Sequence, residues 1–434
     1  MKKLERYTSY KDSGIHWLRK IPKEWEIKKL KFNANIETGN SISDHRKSDY
    51  ENIEESAYSY ISTKDINYEY STINYNNGLK IPLSDKNFKV SNPNTTLICI
   101  EGGSAGKKIA FNHHKICYVN KLASIQSNKK NNSKYLYYLI KSNIFKKQFE
   151  LSMNGLIGGV STSIMKNFEL VFANIKEQEN IVSYLDTQTT RIDNLISQKE
   201  KLLELLKEQK QITINEVVTK GLNKEVEFVD SGVEWIGEIP KDWEITKVKN
   251  IFKLIIDPAP KANNEELLSI YTDIGVKPRK ELAEKGNKAS TTDGYWIVKK
   301  GDFIVNKLLA WMGAIGLSEY EGVTSPAYDI LRAKKDIAGR YYHELFRLKV
   351  FSQEMKKHSR GIMDMRLRLY FDKFGDILIT YPSYEEQVRI VEYIEIQTTK
   401  IDKAIELQLN YISKLKEYKA TLIDSVVTGK VRVS

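Results

Sequence analysis

No stretch of the 434 residues stays apolar over the roughly eighteen positions that a membrane helix needs. The basic start MKKLERYTSYKDSG is not followed by the apolar core of a signal peptide. Neither a membrane span nor a secretory leader is expected, and the chain is expected to work in the cytoplasm. Cysteine is scarce: Cys99 and Cys117 are too few for a disulfide framework or a four-ligand zinc site. His113 and His114 lie near Cys117 but bring no second ligand pair, so no metal is expected.

Catalytic signatures are missing as well. The turn Gly102-Gly103-Ser104-Ala105-Gly106-Lys107-Lys108 differs in spacing from a nucleotide-binding P-loop and has lysine where the hydroxyl belongs. Asn92-Pro93-Asn94 and Asp257-Pro258-Ala259-Pro260 lack the second proline or the aromatic residue with which an adenine methyltransferase holds a flipped base. No catalytic residue is expected in this chain.

What the sequence does have is positive charge and repetition. Its 68 Lys and Arg against 56 Asp and Glu give a net charge of +12, which favours polyanionic partners through counterion release. Asp12 to Lys31 (DSGIHWLRKIPKEWEIKKLK) returns 218 residues later as Asp230 to Lys249 (DSGVEWIGEIPKDWEITKVK), with twelve of twenty positions identical and no gap. Glu177 to Asp193 (EQENIVSYLDTQTTRID) returns 209 residues later as Glu386 to Asp402 (EQVRIVEYIEIQTTKID), and the likeness runs on weakly to Val217-Val218-Thr219 and Val426-Val427-Thr428. Between the repeats lie unlike segments, about 32 to 165 and 250 to 375.

The second repeat opens two long amphipathic stretches without internal Pro or Gly, from Ile175 to about Val218 and from about Ile390 to Val427. Gly221 and Gly429 stand where helix C-terminal caps belong. Each helix is about 60 Å long and exposes an apolar stripe that needs a partner, and the natural partner is the other copy. The expected contact positions are Ile181, Leu185, Ile192, Leu203 and Leu206 on the first helix and Ile390, Ile394, Ile401, Ile412 and Leu415 on the second. Connectivity makes the pair antiparallel and brings the C-terminus near Asp12. Trp17, Ile21, Pro22 and Trp25, with Trp235, Ile239, Pro240 and Trp243, form an apolar anchor pattern suited to latching the helix ends onto the adjoining globular part. The unlike segments read as mixed α/β, with short strands at 96–100, 109–111, 296–298 and 302–305 and helical stretches at 134–149 and 340–357.

Basic residues with glycine or aromatic neighbours recur in both unlike segments. The first has Lys64, Lys107 and Lys108, and Gly103, where the backbone can approach a phosphate. The second has Arg279, Lys307 beside Trp311, and the cluster Lys356, Lys357, Arg360, Arg366 and Arg368. As a set they fit DNA, with phosphates or guanine edges as their targets, although any single one also fits a solvated surface charge.

The repeated DSGIxWLxxIPKxW and EQxxIVxYL...QTTxID motifs and the closing VVTGK resemble specificity subunits of type I restriction-modification systems, in the family's order and over nearly the whole chain. LSIYTDIGVKPR, GDFIVNKLLAWMGAIGLS, GVTSPAYDIL and SRGIMDMRLRLYFDKFGDI are similar to one kind of target recognition domain. The resemblance implies an α+β fold with a pseudo-two-fold internal repeat: a first target recognition domain with its Trp/Pro motif at 1–165, a first spacer helix at 166–222, a second domain with its motif at 223–375, and a second spacer helix and tail at 376–434. It also implies double-stranded DNA as ligand, with a bipartite asymmetric target whose spacer is set by the helices. The implied protein partners are two modification subunits that use S-adenosylmethionine, and restriction subunits that use ATP and Mg²⁺. The chain itself takes no cofactor. The other readings are a stand-alone nuclease or methyltransferase with divergent motifs, and a coiled-coil scaffold that does not bind DNA.

Overall fold

The computed structural model describes residues 5–51, 53, 56–153, 158–281, 291–361 and 367–433. The chain divides into two compact units, residues 1–201 with 409–434, and residues 202–408.

The first unit is built on a four-stranded antiparallel sheet of β1 (Ala34–Thr38), β2 (Thr95–Cys99), β3 (Ile109–Asn112) and β4 (Leu122–Ser127), in the order β1-β4-β2-β3. Its register places Ile125 between Ile36 and Thr96, and Leu97 opposite Ala110. Every residue of β2 and β3 is buried, so these strands need apolar or small residues throughout rather than strict alternation. A second four-stranded sheet carries Ala57–Ile61 parallel to Ile116–Tyr118. Helices α1 (Ser133–Lys141) and α2 (Asn143–Leu151) follow, and then the long α3 (Ile175–Lys220).

The second unit repeats the plan with different residues. Its sheet consists of β5 (Phe252–Ile255), β6 (Phe303–Asn306), β7 (Ile315–Leu317) and β8 (Tyr328–Ala333), in the order β5-β8-β6-β7. The helices α4 (Gly339–Phe346) and α5 (Lys349–His358) follow, and the long α6 (Tyr384–Val427) comes last. The two unlike sequence segments therefore encode one topology.

Each expected helical stretch of these segments is split in two. In the first unit the break falls at Ser142, whose backbone is extended (ψ 162°). Asp424 explains it, because its Oδ1 accepts from Asn143 N at 2.9 Å and caps the new helix at its first turn. The second unit breaks at Leu348, again extended (ψ 140°).

Within each unit the long helices run antiparallel. In the first, Lys419 Nζ donates to both carboxylate oxygens of Asp193 at 2.7 and 2.6 Å, and Lys199 lies over the Tyr411 ring at 4.7 Å. In the second, Lys210 Nζ contacts both oxygens of Asp402 at 2.7 Å. Asp193 and Asp402 end the repeated QTTxID motif, and Lys210 and Lys419 stand 209 residues apart, so one ion pair is made twice. The more exposed Lys210–Asp402 pair adds little stability, but both pairs specify register.

Of the expected helix-contact positions, Ile181, Leu185, Ile192, Leu203, Ile390, Ile394, Ile401 and Ile412 are buried, and Leu206 and Leu415 are half-buried. Ile390 and Ile394 belong to the core of the second unit, together with Ile214, Val217, Tyr341 and Ile379, so they seat the helix on the domain as well. Leu195, Leu202 and Leu409 continue the apolar pattern in sequence but are exposed, because a pair of helices covers only a narrow seam.

The repeated motifs make the same joint in both units. Trp25 is fully buried, its Nε1 donates to Glu177 Oε2 at 2.9 Å, and Tyr7 OH donates to Glu177 Oε1 at 2.6 Å. Gly429 has φ +72°, and a Cβ there would lie 2.3 Å from Pro22 Cδ, so the end of α6 sits directly on the Trp/Pro motif. Gly221 (φ +74°) sits the same way, and a Cβ there would lie 3.1 Å from the Trp243 ring and 3.7 Å from Pro240 Cγ. The tail also reaches the N-terminal segment, where Arg432 N donates to Glu5 O and Tyr10 OH to Lys430 O. Trp17 does not act as the expected anchor: it is exposed, and Ile15 and Leu18 fill the buried positions around it. Its counterpart Trp235 packs edge-on against Phe351, with ring centroids 5.1 Å apart.

The EQ pair that opens the second motif is explained by capping. Gln178 Oε1 accepts from Asn132 N at 2.9 Å, just ahead of α1, while Gln387 Oε1 accepts from Ala338 N at 3.0 Å, just ahead of α4. Both glutamines are buried, and their amides donate to Ala173 O and Pro382 O respectively. One side chain on each long helix thus satisfies the orphan donor of a domain helix and a strand-end carbonyl.

Candidate nucleic-acid interface

The connection from β2 to β3 in the first unit and the connection from β6 to β7 in the second occupy the same place in the repeated sheet. Most of the basic residues singled out from the sequence lie on or against these two loops.

In the first unit the loop is the glycine-rich turn. Lys108 Nζ donates to Thr63 O at 2.7 Å, which ties the loop to the short 3₁₀ turn Thr63–Asp65 that carries Lys64. Lys107 Nζ donates to Gly103 O at 3.4 Å. The structure therefore gathers Lys64, Gly103, Lys107 and Lys108 from two separate stretches. Next to them is a cavity of about 290 Å³ lined by residues that include Tyr70, Lys107, Lys141 and Lys416. Lys141, which the sequence reading missed, donates to Ser71 Oγ at 2.9 Å and Tyr137 OH at 3.2 Å, and burial pushes its pKa down to about 8.

In the second unit the loop runs from Lys307 to Ala314. Lys356 on α5 lies over the Trp311 ring at 4.9 Å, a cation–π contact that joins two of the expected residues. Arg360 and Arg368 exchange backbone hydrogen bonds at 2.9 Å, and Leu369 N donates to Lys307 O at 2.8 Å. Trp311, Lys356, Arg360 and Arg368 are thus brought to one place. Lys357 pairs with Glu354 at 3.1 Å and Glu234 at 3.3 Å, and Arg360 with Asp372 at 3.4 Å; all three contacts involve a largely exposed cation.

Lys307 is different. Its ammonium is 3.3 Å from Asp329 Oδ1, and both side chains are largely buried. Burial raises the pKa of Asp329 in spite of the neighbouring cation, as expected of an ion pair set into the domain. Arg279 starts a separate 3₁₀ turn, where its backbone N donates to Leu267 O. Arg366 lies outside the described residues.

Two side chains that sequence reasoning passed over hold the second loop. Arg347 donates to Gly313 O at 2.8 Å, Ile315 O at 3.2 Å and Thr272 O at 2.7 Å. His343 Nδ1 accepts from Leu317 N at 3.1 Å, and burial among Arg340 and Arg347 pushes the ring's pKa down to about 3. The signal for Arg347 is positional: it follows the buried Tyr341 by six residues, as Lys141 follows Tyr135.

The histidine has a testable consequence. The unfolded ring titrates near 6.5 and the folded ring near 3, so its contribution to stability is complete above pH 6.5 and is lost as pH falls between those values. With the ring partly accessible, the loss is expected to be on the order of 2 kcal/mol by pH 4. Denaturant unfolding at pH 7 and pH 4 measures it, and the pH dependence should shrink in His343→Gln.

Among the described residues no group of three or more His, Cys, Asp or Glu is placed to hold a metal ion, and no helix is long and apolar enough to cross a membrane. Cys99 and Cys117 are both buried.

A duplicated sheet-and-helix unit that presents unlike loops, each bordered by basic residues, at the same place has the form of a modular binding protein. Residues 22–205 match the family described as type I restriction modification DNA specificity domain. Over 366 residues the chain is 24% identical to the type I restriction enzyme MjaVIII specificity subunit of Methanocaldococcus jannaschii, covering 79% of this chain and 80% of the relative. A structure solved in work on complex assembly and conformational transition of the type I R-M system superposes with a TM-score of 0.71 at 16% identity, covering 95% of this chain and 99% of that one. The HsdS subunit from Thermoanaerobacter tengcongensis gives 0.54 at 15% identity, covering 95% and 98%. The chain is thus similar, in sequence and in fold, to specificity subunits of type I restriction-modification systems.

Proposed function

We propose that the chain is the DNA sequence-recognition subunit of a type I restriction-modification complex, reading a bipartite, asymmetric target with one half-site per unit. It carries out no chemistry itself. It directs adenine methylation and ATP-dependent cleavage by partner subunits, which supply S-adenosylmethionine, ATP and Mg²⁺, and it acts in the cytoplasm, where host DNA is met. The observation that carries the reading is the pair of loops at one position of a repeated sheet, alike in topology and unlike in sequence. That is what a protein needs when it must read two different half-sites with one scaffold.

In this reading the segments 1–165 and 223–375 are the recognition domains, and the segments 166–222 and 376–434 are the helical spacers. Lys64, Lys107 and Lys108 serve the first half-site through phosphates approached over Gly103. Trp311, Lys356, Lys357, Arg360, Arg368 and, outside the described residues, Arg366 serve the second, with Arg279 at its edge. Lys307 is withdrawn from this set in favour of a positioning role, because its charge is spent on Asp329.

Two clefts support a pair of protein partners. One, of about 360 Å³, is lined by residues that include Pro22, Trp25, Glu177 and Arg432. The other, of about 240 Å³, is lined by residues that include Gly221, Pro240, Trp243 and Glu386. Both lie where the Trp/Pro motif meets the EQ end of a long helix. Repeated clefts suit two copies of one partner, and we assign them to two modification subunits, with restriction subunits joining that assembly.

The test is salt-dependent binding by the assembled complex to duplexes carrying the host's methylated target. A slope of log affinity against log salt of about −5 is expected if six phosphates are neutralised. Methylation or cleavage by the purified chain alone, given S-adenosylmethionine and Mg²⁺, would favour a self-sufficient enzyme instead.

A further inference from the structure

The loop from Lys307 to Ala314 is cationic only at its edges. Its crest is apolar: Leu308 and Leu309 are each 40% exposed and Met312 is 52% exposed. Ile274, 48% exposed, follows Thr272, whose carbonyl is clamped to Gly313 and Ile315 through Arg347. Three large apolar side chains of this braced loop thus face solvent, with a fourth on the neighbouring turn.

The brace is extensive. Leu308 N is held by Asn306 Oδ1, while Met312 N and Ala314 N both return to Leu309 O. A crest fixed in this way pays little ordering entropy when it meets a ligand. The equivalent loop of the first unit offers glycines and lysines instead, so the apolar crest is peculiar to the second unit and is not a requirement of the fold.

We propose that this crest reads thymine in the second half-site, with the side chains of Leu308, Leu309 and Met312 seating on thymine C5-methyl groups in the major groove. The proposal rests on the DNA-recognition reading above and refines it. Two features argue for this occupant. The cations that border the crest, Lys356 against Trp311 and the Arg360–Arg368 ladder, suit the phosphates on either side of a groove. The methyl group is the one apolar feature on the major-groove edge of the bases, and contact with it is a recognised means of direct readout.

The test uses the assembled complex and duplexes in which thymine is replaced by deoxyuridine, which removes only the methyl group, in one half-site at a time. Deoxyuridine in the half-site of the second unit is expected to weaken binding about fourfold for each seated methyl, the worth of one buried methyl-sized group. Met312→Ser and Leu308→Ser, at exposed positions, should lose that sensitivity and still tell a wrong base pair from a right one in the first half-site. Equal affinity for thymine and deoxyuridine duplexes would overturn the proposal, as would a second half-site without an A·T pair or serine variants that keep the sensitivity. Loss of sequence preference in both half-sites would signal failure of the recognition reading itself.

Discussion

Exchanging residues 32–165 for the corresponding segment of another specificity subunit is expected to replace the bases read in one half-site and to leave the other half-site unchanged. The reason is the independence of the first sheet. Among the described residues its four strands pair only with one another, and its core of Ile61, Leu97, Ala110, Ile116 and Leu122 contains no residue from the second unit. Each wrong base pair typically costs about 1 to 3 kcal/mol, so a full half-site change abolishes methylation at the old target and creates a new one. The structure also specifies what the donor segment must bring. Gln178 caps the backbone at Asn132, Asp186 accepts from Lys134 Nζ and Tyr138 OH, each at 2.6 Å, and Glu200 receives Tyr70 OH. A donor lacking these partners would leave the buried Gln178 and the half-buried Asp186 and Glu200 of α3 without them, and would fold poorly for reasons unrelated to recognition. Sequencing of methylated adenines in the host genome reads the outcome, and changed bases in both halves would contradict the assignment of one half-site to each unit.

The architecture was legible because the shared scaffold uses identical residues twice. Trp25 with Glu177 and Asp193 with Lys419 join repeated elements to one another, and Gln178 and Gln387 cap the backbone of the unlike segments from equivalent positions, so selection of the joint leaves its mark on both copies. The likeness of the two sheets was not legible. A buried strand asks only for apolar residues of suitable size, and β2 (TTLIC) and β6 (FIVN) meet that demand without resembling one another. The break between α1 and α2 was hidden because its cause, Asp424, is 281 positions from Asn143.

The candidate site was legible in part, and for a similar reason. Lysines at 107, 108, 356 and 357 announce themselves by local charge. Whether a lysine is free depends on distant carboxylates: Lys307 looks like its neighbours in sequence and is taken by Asp329. Arg347 announces nothing, being one basic residue in a helical stretch, until its three carbonyl partners are seen. The exposed crest of Leu308, Leu309 and Met312 was not singled out, because an apolar side chain carries no local sign of whether it will be exposed.

Trp25→Ala is expected to cost about 3 to 5 kcal/mol in the stability of the first unit, the range for removing a buried aromatic side chain. The ring is wholly buried, packs edge-on against Tyr7 with centroids 5.6 Å apart, and supports the end of α6 through Gly429. Its removal opens a cavity beneath the helix terminus and strips Glu177 of one of its two donors. Trp25→Phe separates these effects, since it keeps most of the packing and loses the indole N–H, for an expected cost of about 1 to 2 kcal/mol. Trp243→Ala should weaken the second unit by a smaller amount, because Trp243 is less completely enclosed than Trp25. Urea unfolding of the full chain followed by circular dichroism measures all three, with the order Trp25→Ala, Trp243→Ala, Trp25→Phe from most to least destabilised. A Trp25→Ala protein as stable as the parent would mean that the helix ends are held in place by something other than the repeated motif. Because the same tryptophans line the two clefts assigned to modification subunits, the alanine variants are also expected to lose capture of those subunits, whereas Trp25→Phe retains it.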